Sequence, residues 1–378
     1  MPELGAVIFV CRNKHMKEFD EVFVDKTKYG TKLKTSDYKE CGKYPIIDQG
    51  QETIAGYTDA EDGVFKEVPV IIFGDHTRVI KYVDKPFFLG ADGVKVLRSK
   101  YLDANYRYLF YALLNLKIPN TGYNRHFKWL KEAKIQYPTL KQQEKVVGIL
   151  DKIEEVIAAR NKQLNALDEL IQARFVELFG NESNPKAWEI VNVESVADVQ
   201  VGVVIKPSQY YTDAIDGIKA FRSLNVGEGF IKDENWVYFT KEGHKKNAKS
   251  VLKENDLLIV RSGAPGTACV VTKEYEGCNA IDIIIAHPNC EKVNPYYLCA
   301  YTNMPHGKKQ INEGTGGAAQ QHFNVTKYNK LQLMLPPMKL QDEFVTFVNQ
   351  VDKSKVEIQQ ALEKTQLLFD SLMQQYFG

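Results

Sequence analysis

Several stretches of the chain carry residue types that do chemistry in other settings. Asn294-Pro295-Tyr296-Tyr297 sets an amide, a proline and aromatic rings in the order that amino-methyltransferases use to hold the amine they methylate. Its second proline is missing, and no glycine-rich strand–turn–helix stands elsewhere to carry a methyl donor, so the stretch reads as a helix start. Gly314-Thr315-Gly316-Gly317 lacks the lysine and hydroxyl residue of a phosphate-binding loop and reads as a plain loop. Glu132-Ala133-Lys134 has the Glu-x-Lys spacing of metal-dependent nucleases, but no Pro-Asp strand precedes it to complete a magnesium site. The histidines, His15, His76, His126, His244, His287, His306 and His322, have no His or Cys partner at zinc-ligand spacing. No Gly-x-Ser-x-Gly or Cys/His pairing marks a nucleophile. The expectation is a chain with no catalytic residue, no metal and no cofactor of its own.

Polar recognition chemistry is what remains. Arginine offers a two-pronged donor to guanine, and glutamine a donor–acceptor pair to adenine. In the second half Arg222, Arg261, Gln320 and Gln321 fall at strand ends or in loops, where such side chains reach outward. His76, Arg78, Lys81 and Arg125 hold comparable places in the first half. Lys245-Lys246 and Lys308-Lys309 suit phosphate contacts, which position a duplex without reading it. Each of these residues also fits a plain role as a solvated or salt-bridged surface charge, so the elements that hold them must decide.

Two globular segments do the holding. Residues 1–134 read as short strands at Ala6–Val10, Tyr44–Ile47, Val68–Phe73, Val79–Val83 and Val94–Leu97, with Pro45 and Pro69 confining two of them to sheet edges. A helix over Ala104–Leu116 follows, its Leu109, Ala112, Leu113 and Leu116 at helical spacing. Residues 181–332 repeat the plan, with strands at Lys219–Arg222, Asp256–Val260 and Ile281–Ile285 and a helix after Pro295. Both segments also carry the pattern G-x-x-x-K-T/P-S-x-Y, through Gly30, Lys34, Ser36 and Tyr38 and through Gly202, Lys206, Ser208 and Tyr210.

Each segment runs into a long helical region, residues 135–180 and 333–378, and these two regions align without a gap at an offset of 198. Pro138 meets Pro336, Gln143 meets Gln341, Leu164 meets Leu362, Leu170 meets Leu368, and Phe179-Gly180 meets Phe377-Gly378. In the first copy Val146, Leu150, Ile153, Ile157, Arg160, Leu164, Leu167, Ile171, Arg174 and Leu178 recur in steps of four and three, a seam along one helix face. The second copy has Phe344, Val348, Val351, Lys355, Ile358, Leu362, Thr365, Phe369, Leu372 and Tyr376 at the same places. The few polar interruptions predict a fixed register. Thr139 to Gln142 follows the capping-box spacing, Pro336-Pro337 excludes a mid-helix position, and Gly180 suits a left-handed cap. Each copy is thus a helix of about 38 residues, about 57 Å long. An isolated helix of this kind would be a dimerisation rod; two copies, each after a globular segment, predict an antiparallel pair packed through Ile153, Leu164, Ile171, Val351, Leu362 and Phe369. The fold class is α+β, a pseudo-two-fold tandem repeat of globular domain plus helix.

The formal net charge of +1 excludes a strongly basic, non-specific nucleic-acid binder, although residues 1–134 hold 22 basic against 18 acidic side chains and residues 181–332 hold 17 of each. The cysteines, Cys11, Cys41, Cys269, Cys278, Cys290 and Cys299, form no Cys-x-x-Cys pair, and the opening MPELGAVIFVCRNKHMKEF is too short in apolar residues for a membrane span. A cytoplasmic protein without membrane contact is expected.

In this arrangement the chain resembles the DNA-specificity (S) subunit of type I restriction-modification systems. The resemblance lies in helical regions opening as YPTLKQQEKV and LPPMKLQDEF, with Gln143-Glu144 and Gln341-Asp342 after the proline, and in the segments VIIFGDHTRVIKYV and DLLIVRSGAPGTACVV. The second segment opens on KAWEIVNVESVADV, whereas the first, through Asp20, has no tryptophan-bearing counterpart. The resemblance implies a non-catalytic subunit whose target-recognition domains each read one half of a bipartite site in double-stranded DNA. It implies helices that act as a ruler for the spacer and dock two methyltransferase subunits, which bring S-adenosylmethionine, with restriction and translocase subunits completing the complex. The competing readings are a fragment of a fused restriction-modification polypeptide and a two-headed protein- or carbohydrate-binding module on a coiled-coil scaffold.

Overall fold

The computed structural model describes residues 15–90, 92–122, 124–181, 183–213, 215–315 and 323–378. The strand expected at Ala6–Val10 lies outside them. Contacts divide the chain into two units, the first holding residues up to Lys162 together with Gln359–Gly378, the second Gln163–Ile358, so each long helix contributes a stretch to both.

The first unit contains β1 (Met16–Glu18), α1 (Phe19–Val22), β2 (Phe23–Asp25), β3 (Tyr44–Ile47), β4 (Gly56–Thr58), β5 (Val70–Gly74), β6 (Ile80–Val83), β7 (Phe88–Leu89), β8 (Val94–Ser99), α2 (Tyr106–Leu114), α3 (Phe127–Lys131), β9 (Lys134–Gln136) and the opening of α4 (Leu140–Phe179). β2, β8, β5 and β6 form an antiparallel sheet in that order; β4, β3 and β7 form a second, with β7 parallel to β3; β1 pairs with β9. Neither proline marks an edge strand, contrary to expectation: β3 and β5 each have neighbours on both sides. Pro45 is tolerated because it faces Tyr57, whose own N–H and C=O are both bonded to Lys39 on the far side, and Pro69 stands ahead of the β5 ladder. The core of the unit is built from Phe19, Phe23, Phe73, Leu97, Tyr108 and Leu109 together with Val146 and Leu150 of α4 and with Met373 and Tyr376.

The second unit contains the remainder of α4, then β10 (Glu189–Asn192), β11 (Ala197–Val201), β12 (Tyr211–Thr212), β13 (Ile218–Phe221), β14 (Val237–Phe239), α5 (Lys241–Lys246), β15 (Leu257–Val260), β16 (Ala268–Val270), β17 (Asn279–Ala280), β18 (Ile283–Pro288), α6 (Pro295–Asn303), α7 (Pro305–Thr315), α8 (Val325–Asn329), β19 (Gln332–Leu335) and most of α9 (Met338–Phe377). Its sheets run β11-β18-β15-β16 and β12-β14-β13-β17, with β10 paired to β19. Strand for strand this is the order of the first unit, with β12, α5 and α7 added, so the duplication extends to sheet topology. The shared G-x-x-x-K motif places a single 3-10 turn after the lysine in both units, Thr35–Asp37 and Pro207–Tyr210. Asn294 caps α6 by accepting from the N–H groups of Tyr296 and Tyr297, as its helix-start reading requires. Gly314 and Thr315 belong to the last turn of α7 rather than to a loop, and Gly316 and Gly317 lie outside the described residues.

Every seam position of α4 and α9 is buried or half-buried. Ile171 packs on the core of the second unit and Phe369 on that of the first; Val351 is buried, and Ile153, Leu164 and Leu362 are half-buried. The helix stretches run antiparallel within the second unit, where Lys355 pairs with Asp168 at 2.7 Å and Arg174 with Glu343 at 2.6 Å. In the first unit Arg160 donates to the Ala361 carbonyl and the Thr365 hydroxyl. Each polar seam residue therefore finds a partner on the opposite helix, and an axial slip of one turn would break all of these contacts at once. Replacing Arg160 with alanine is expected to cost about 1–2 kcal/mol in denaturant unfolding; an unchanged midpoint would remove Arg160 from the register. The helix starts match as well, Gln143 and Gln341 being buried and donating to the carbonyls of Pro138 (2.9 Å) and Pro336 (2.8 Å). Gly180 takes a φ of 90° after the last turn of α4.

Candidate nucleic-acid interface

In the first unit three connections meet at one end of the sheets: the loop after β3, the β5–β6 turn and the β7–β8 turn. Gln49 ties them together. Its amide nitrogen donates to the Asp92 carbonyl (2.8 Å), its amide oxygen accepts from the His76 N–H (3.1 Å), and its own carbonyl accepts from the Thr77 hydroxyl (2.6 Å). Glycine at position 93 makes room, since a Cβ there would stand 2.7 Å from the Gln49 amide nitrogen and 2.8 Å from the His76 ring. Arg78 turns the chain with a φ of 62° and donates to the Ile118 carbonyl at 3.2 Å.

The segment before α3 is held to the same turn, with the His126 N–H donating to the Asp75 carbonyl (2.7 Å) and the Phe127 N–H to its carboxylate (2.8 Å). This places exposed Arg125 near Asp92, whose carboxyl is held below the usual carboxylate range by its hydrogen bond and charge pairing with Lys32, Arg125 adding to the effect. His76, Arg78 and Arg125 are thus gathered around Gln49. Lys81 is turned inward, 5% exposed, donating to the Glu52 carbonyl at 2.5 Å and facing Asp48 at 3.4 Å. Burial holds its ammonium pKa below the ordinary value, with Asp48 offsetting only part of the shift. Its charge is committed to the loop that carries Gln49.

The second unit builds the corresponding end from the corresponding connections. Arg222 follows β13, its guanidinium donating to the Asn235 carbonyl and its backbone N–H to Asn225 (2.9 Å). Arg261 follows β15, pairs with Asp282 between β17 and β18, and donates through Nε to the Phe323 carbonyl at 3.3 Å. The Phe323 N–H returns to the Arg261 carbonyl at 3.0 Å, the same tie that His126 makes to Asp75. Gln320, Gln321 and His322, directly before Phe323, lie outside the described residues. Lys245 and Lys246 sit on the exposed last turn of α5, against β14 and the turn at Pro207–Tyr210. Lys308 is paired with Glu228.

If Lys245 and Lys246 touch phosphates, alanine at both is expected to weaken binding to all DNA sequences alike and to reduce the log–log salt slope by about 2. Loss for one sequence alone would assign them to base reading. Sequence reasoning passed over Gln49, Asp75, Asp92 and Asp282, which stand one to three residues after β3, β5, β7 and β17; the available signal was an amide or acid just beyond a strand, next to a glycine such as Gly50, Gly74 or Gly93. In Glu132-Ala133-Lys134 the lysine pairs with Glu18 at 3.1 Å. Among the described residues no helix is long and apolar enough to cross a membrane.

The family model for the type I restriction modification DNA specificity domain matches the chain twice, over residues 13–169 and 185–367. The type I restriction enzyme MjaVIII specificity subunit of Methanocaldococcus jannaschii is 22% identical over 289 residues, 68% of this chain and 67% of that protein. A type I restriction enzyme specificity subunit of Escherichia coli is 30% identical over 154 residues, 37% of each. Among solved structures, the type I restriction-modification S subunit from M. genitalium superposes with a TM-score of 0.60 at 16% identity, covering 97% of this chain and 96% of that one. A chain from a structure of type I R-M complex assembly and conformational transition gives 0.54 at 17%, covering 98% and 96%. These superpositions establish the same fold, and with two matched copies of the domain spanning most of its length the chain belongs to the type I restriction-modification DNA specificity family, as a specificity subunit concerned with DNA sequence recognition.

Proposed function

We propose that each unit reads one half of a bipartite site in double-stranded DNA through the loops described above, and that the subunit itself is non-catalytic. The observation that carries this reading is the repetition of one loop arrangement on one sheet topology, with different side chains at the reading positions: His76, Arg78 and Arg125 in one unit, Arg222 and Arg261 in the other. Matching scaffolds with unlike side chains suit a site whose two halves differ in sequence. The 40-residue helices supply the spacer, since a helix of that length measures about 60 Å, more than one duplex turn of roughly 34 Å. Two methyltransferase subunits, carrying S-adenosylmethionine, dock on the pseudo-two-fold frame, and restriction and translocase subunits complete the assembly. The near-neutral charge of the chain supports a division of labour in which these partners provide much of the phosphate contact.

The test is co-expression with the methyltransferase encoded beside this chain, in a host lacking adenine methylation, followed by mapping of modified adenines. Two specified blocks around a fixed unspecified gap are expected. A continuous motif would reject the two-domain ruler. Absence of methylation from a soluble, associated pair would reject DNA modification by this pair, and absence of association would favour a two-headed protein- or carbohydrate-binding module.

A further inference from the structure

The helix that follows the last sheet strand differs between the units where it meets the long helices. Matching its capping residues, Asn105 and Asn294, sets Arg107 against Tyr296, Phe110 against Cys299 and Tyr111 against Ala300; the offset of 198 between the long helices sets Asp151 against Asn349 and Glu154 against Asp352. In the first unit these residues form a clamp. Arg107 donates to Asp151 at 3.1 and 2.7 Å and to Glu154 at 2.6 Å, while the Tyr111 hydroxyl donates to Asp151 at 2.6 Å. The guanidinium also lies 5.1, 5.3 and 4.9 Å from the ring centroids of Tyr82, Phe110 and Tyr111.

The second unit has lost the arginine, two large rings and one carboxylate from this place. What stands there is a cleft of about 900 Å³ whose walls include Ile171, Leu224, Phe230, Tyr296, Val345 and Asp352. Leu224, Phe230 and Tyr296 are 62%, 58% and 39% exposed. Asp352 keeps 51% of its side chain open, and Lys355, at 3.9 Å, is already committed to Asp168 at 2.7 Å. Burial against the cleft wall pushes the Asp352 carboxyl above its ordinary range despite Lys355, with Asp168 adding to the rise. The cleft mixes apolar walls with polar and charged side chains, Lys232 and Lys355 among them, and in it the half-open Asp352 carboxylate, only loosely paired with Lys355, together with the exposed Tyr296 ring offers the two groups that a guanidinium binds.

We propose that this cleft receives an arginine side chain presented by a protein partner, its guanidinium on Asp352 and across the Tyr296 ring, supplying from outside what Arg107 supplies within the first unit. The cleft is larger than one side chain, so the arginine enters with an apolar neighbour that covers Leu224 and Phe230. Because Arg107 already fills the counterpart in the first unit, the partner binds once per chain.

The experiment is a titration of methyl-labelled full-length protein with N-acetyl-argininamide, alongside the lysine analogue and the uncharged, isosteric citrulline analogue. Saturable shifts are expected at the methyl groups of Ile171, Leu224 and Val345, with one equivalent bound per chain and affinity about tenfold above either analogue. Asp352→Asn is a surface change that leaves the fold intact and should weaken binding about tenfold. The combined Tyr296→Arg, Ala300→Tyr and Asn349→Asp change transplants the clamp and should abolish binding, with methyl signals away from the cleft unmoved as the check on folding. Equal binding of the citrulline or lysine analogue, two equivalents per chain, or undiminished binding in both variants would each overturn the proposal.

Discussion

Phe179→Ala is expected to destabilise the second unit by about 3–5 kcal/mol, the usual cost of removing a fully buried phenylalanine. Phe179 ends α4, yet it is fully buried in the core of the second domain. Its ring lies 4.9 Å from Phe175, 5.0 Å from Tyr297 and 5.5 Å from Phe344. Its counterpart Phe377 ends α9 and packs on Tyr108 of the first domain at 5.2 Å, half-buried. Each domain's helix thus seats its tyrosine on the last phenylalanine of the long helix that began beside the other domain in sequence. Phe377→Ala should cost less, about 1–2 kcal/mol, because less of its ring leaves water on folding. Denaturant unfolding should therefore become biphasic in Phe179→Ala, with an early phase attributable to the second unit, while Phe377→Ala shifts the first unit modestly. A single transition moved by less than about 1 kcal/mol in Phe179→Ala would mean that the helix end is not a structural part of that domain.

The helices, their starts and their seam were legible because a period of three and four residues survives in sequence whatever the helix packs on. The start of α6 was legible for a similar reason: Asn294-Pro295 carries its own capping chemistry. Sheet order was not, since β8 inserts between β2 and β5, and β7 lies parallel to β3, through pairings that join residues far apart in the chain. The expectation for Pro45 failed because edge status depends on which backbone groups the neighbouring strand still has free, and Tyr57 had already given both of its own to Lys39. Among the candidate reading residues, Lys81 shows the limit of residue type: a lysine in an alternating strand reads as outward, but Asp48 and the Glu52 carbonyl give it an inward place. The Arg107 clamp was equally hidden, because Asp151 and Glu154 mark a face of α4 without naming the helix that meets it.

Gln49→Ala should relax or abolish recognition of one block of the methylated motif and leave the other block as it was. Loss of the side chain removes two hydrogen bonds, to Asp92 and His76, worth about 0.5–1.5 kcal/mol each in stability. The functional effect should be larger. His76 and Arg78 ride on the turn that Gln49 fixes, and a displacement of about 1 Å at a reading side chain can cost on the order of a hundredfold. Discrimination at each affected base pair should fall by about 1–3 kcal/mol, the usual worth of a good base contact. Gln49→Glu keeps the shape and the acceptor to His76 but cannot donate to the Asp92 carbonyl, and it adds a negative charge where phosphates would approach. It should therefore weaken binding further than alanine does, and most at low salt. The unaffected block is the internal control, because misfolding or failed assembly would lower methylation at every site together. Equal relaxation of both blocks, or an unchanged motif in both variants, would detach the Gln49 cluster from DNA reading and return these loops to a purely structural role.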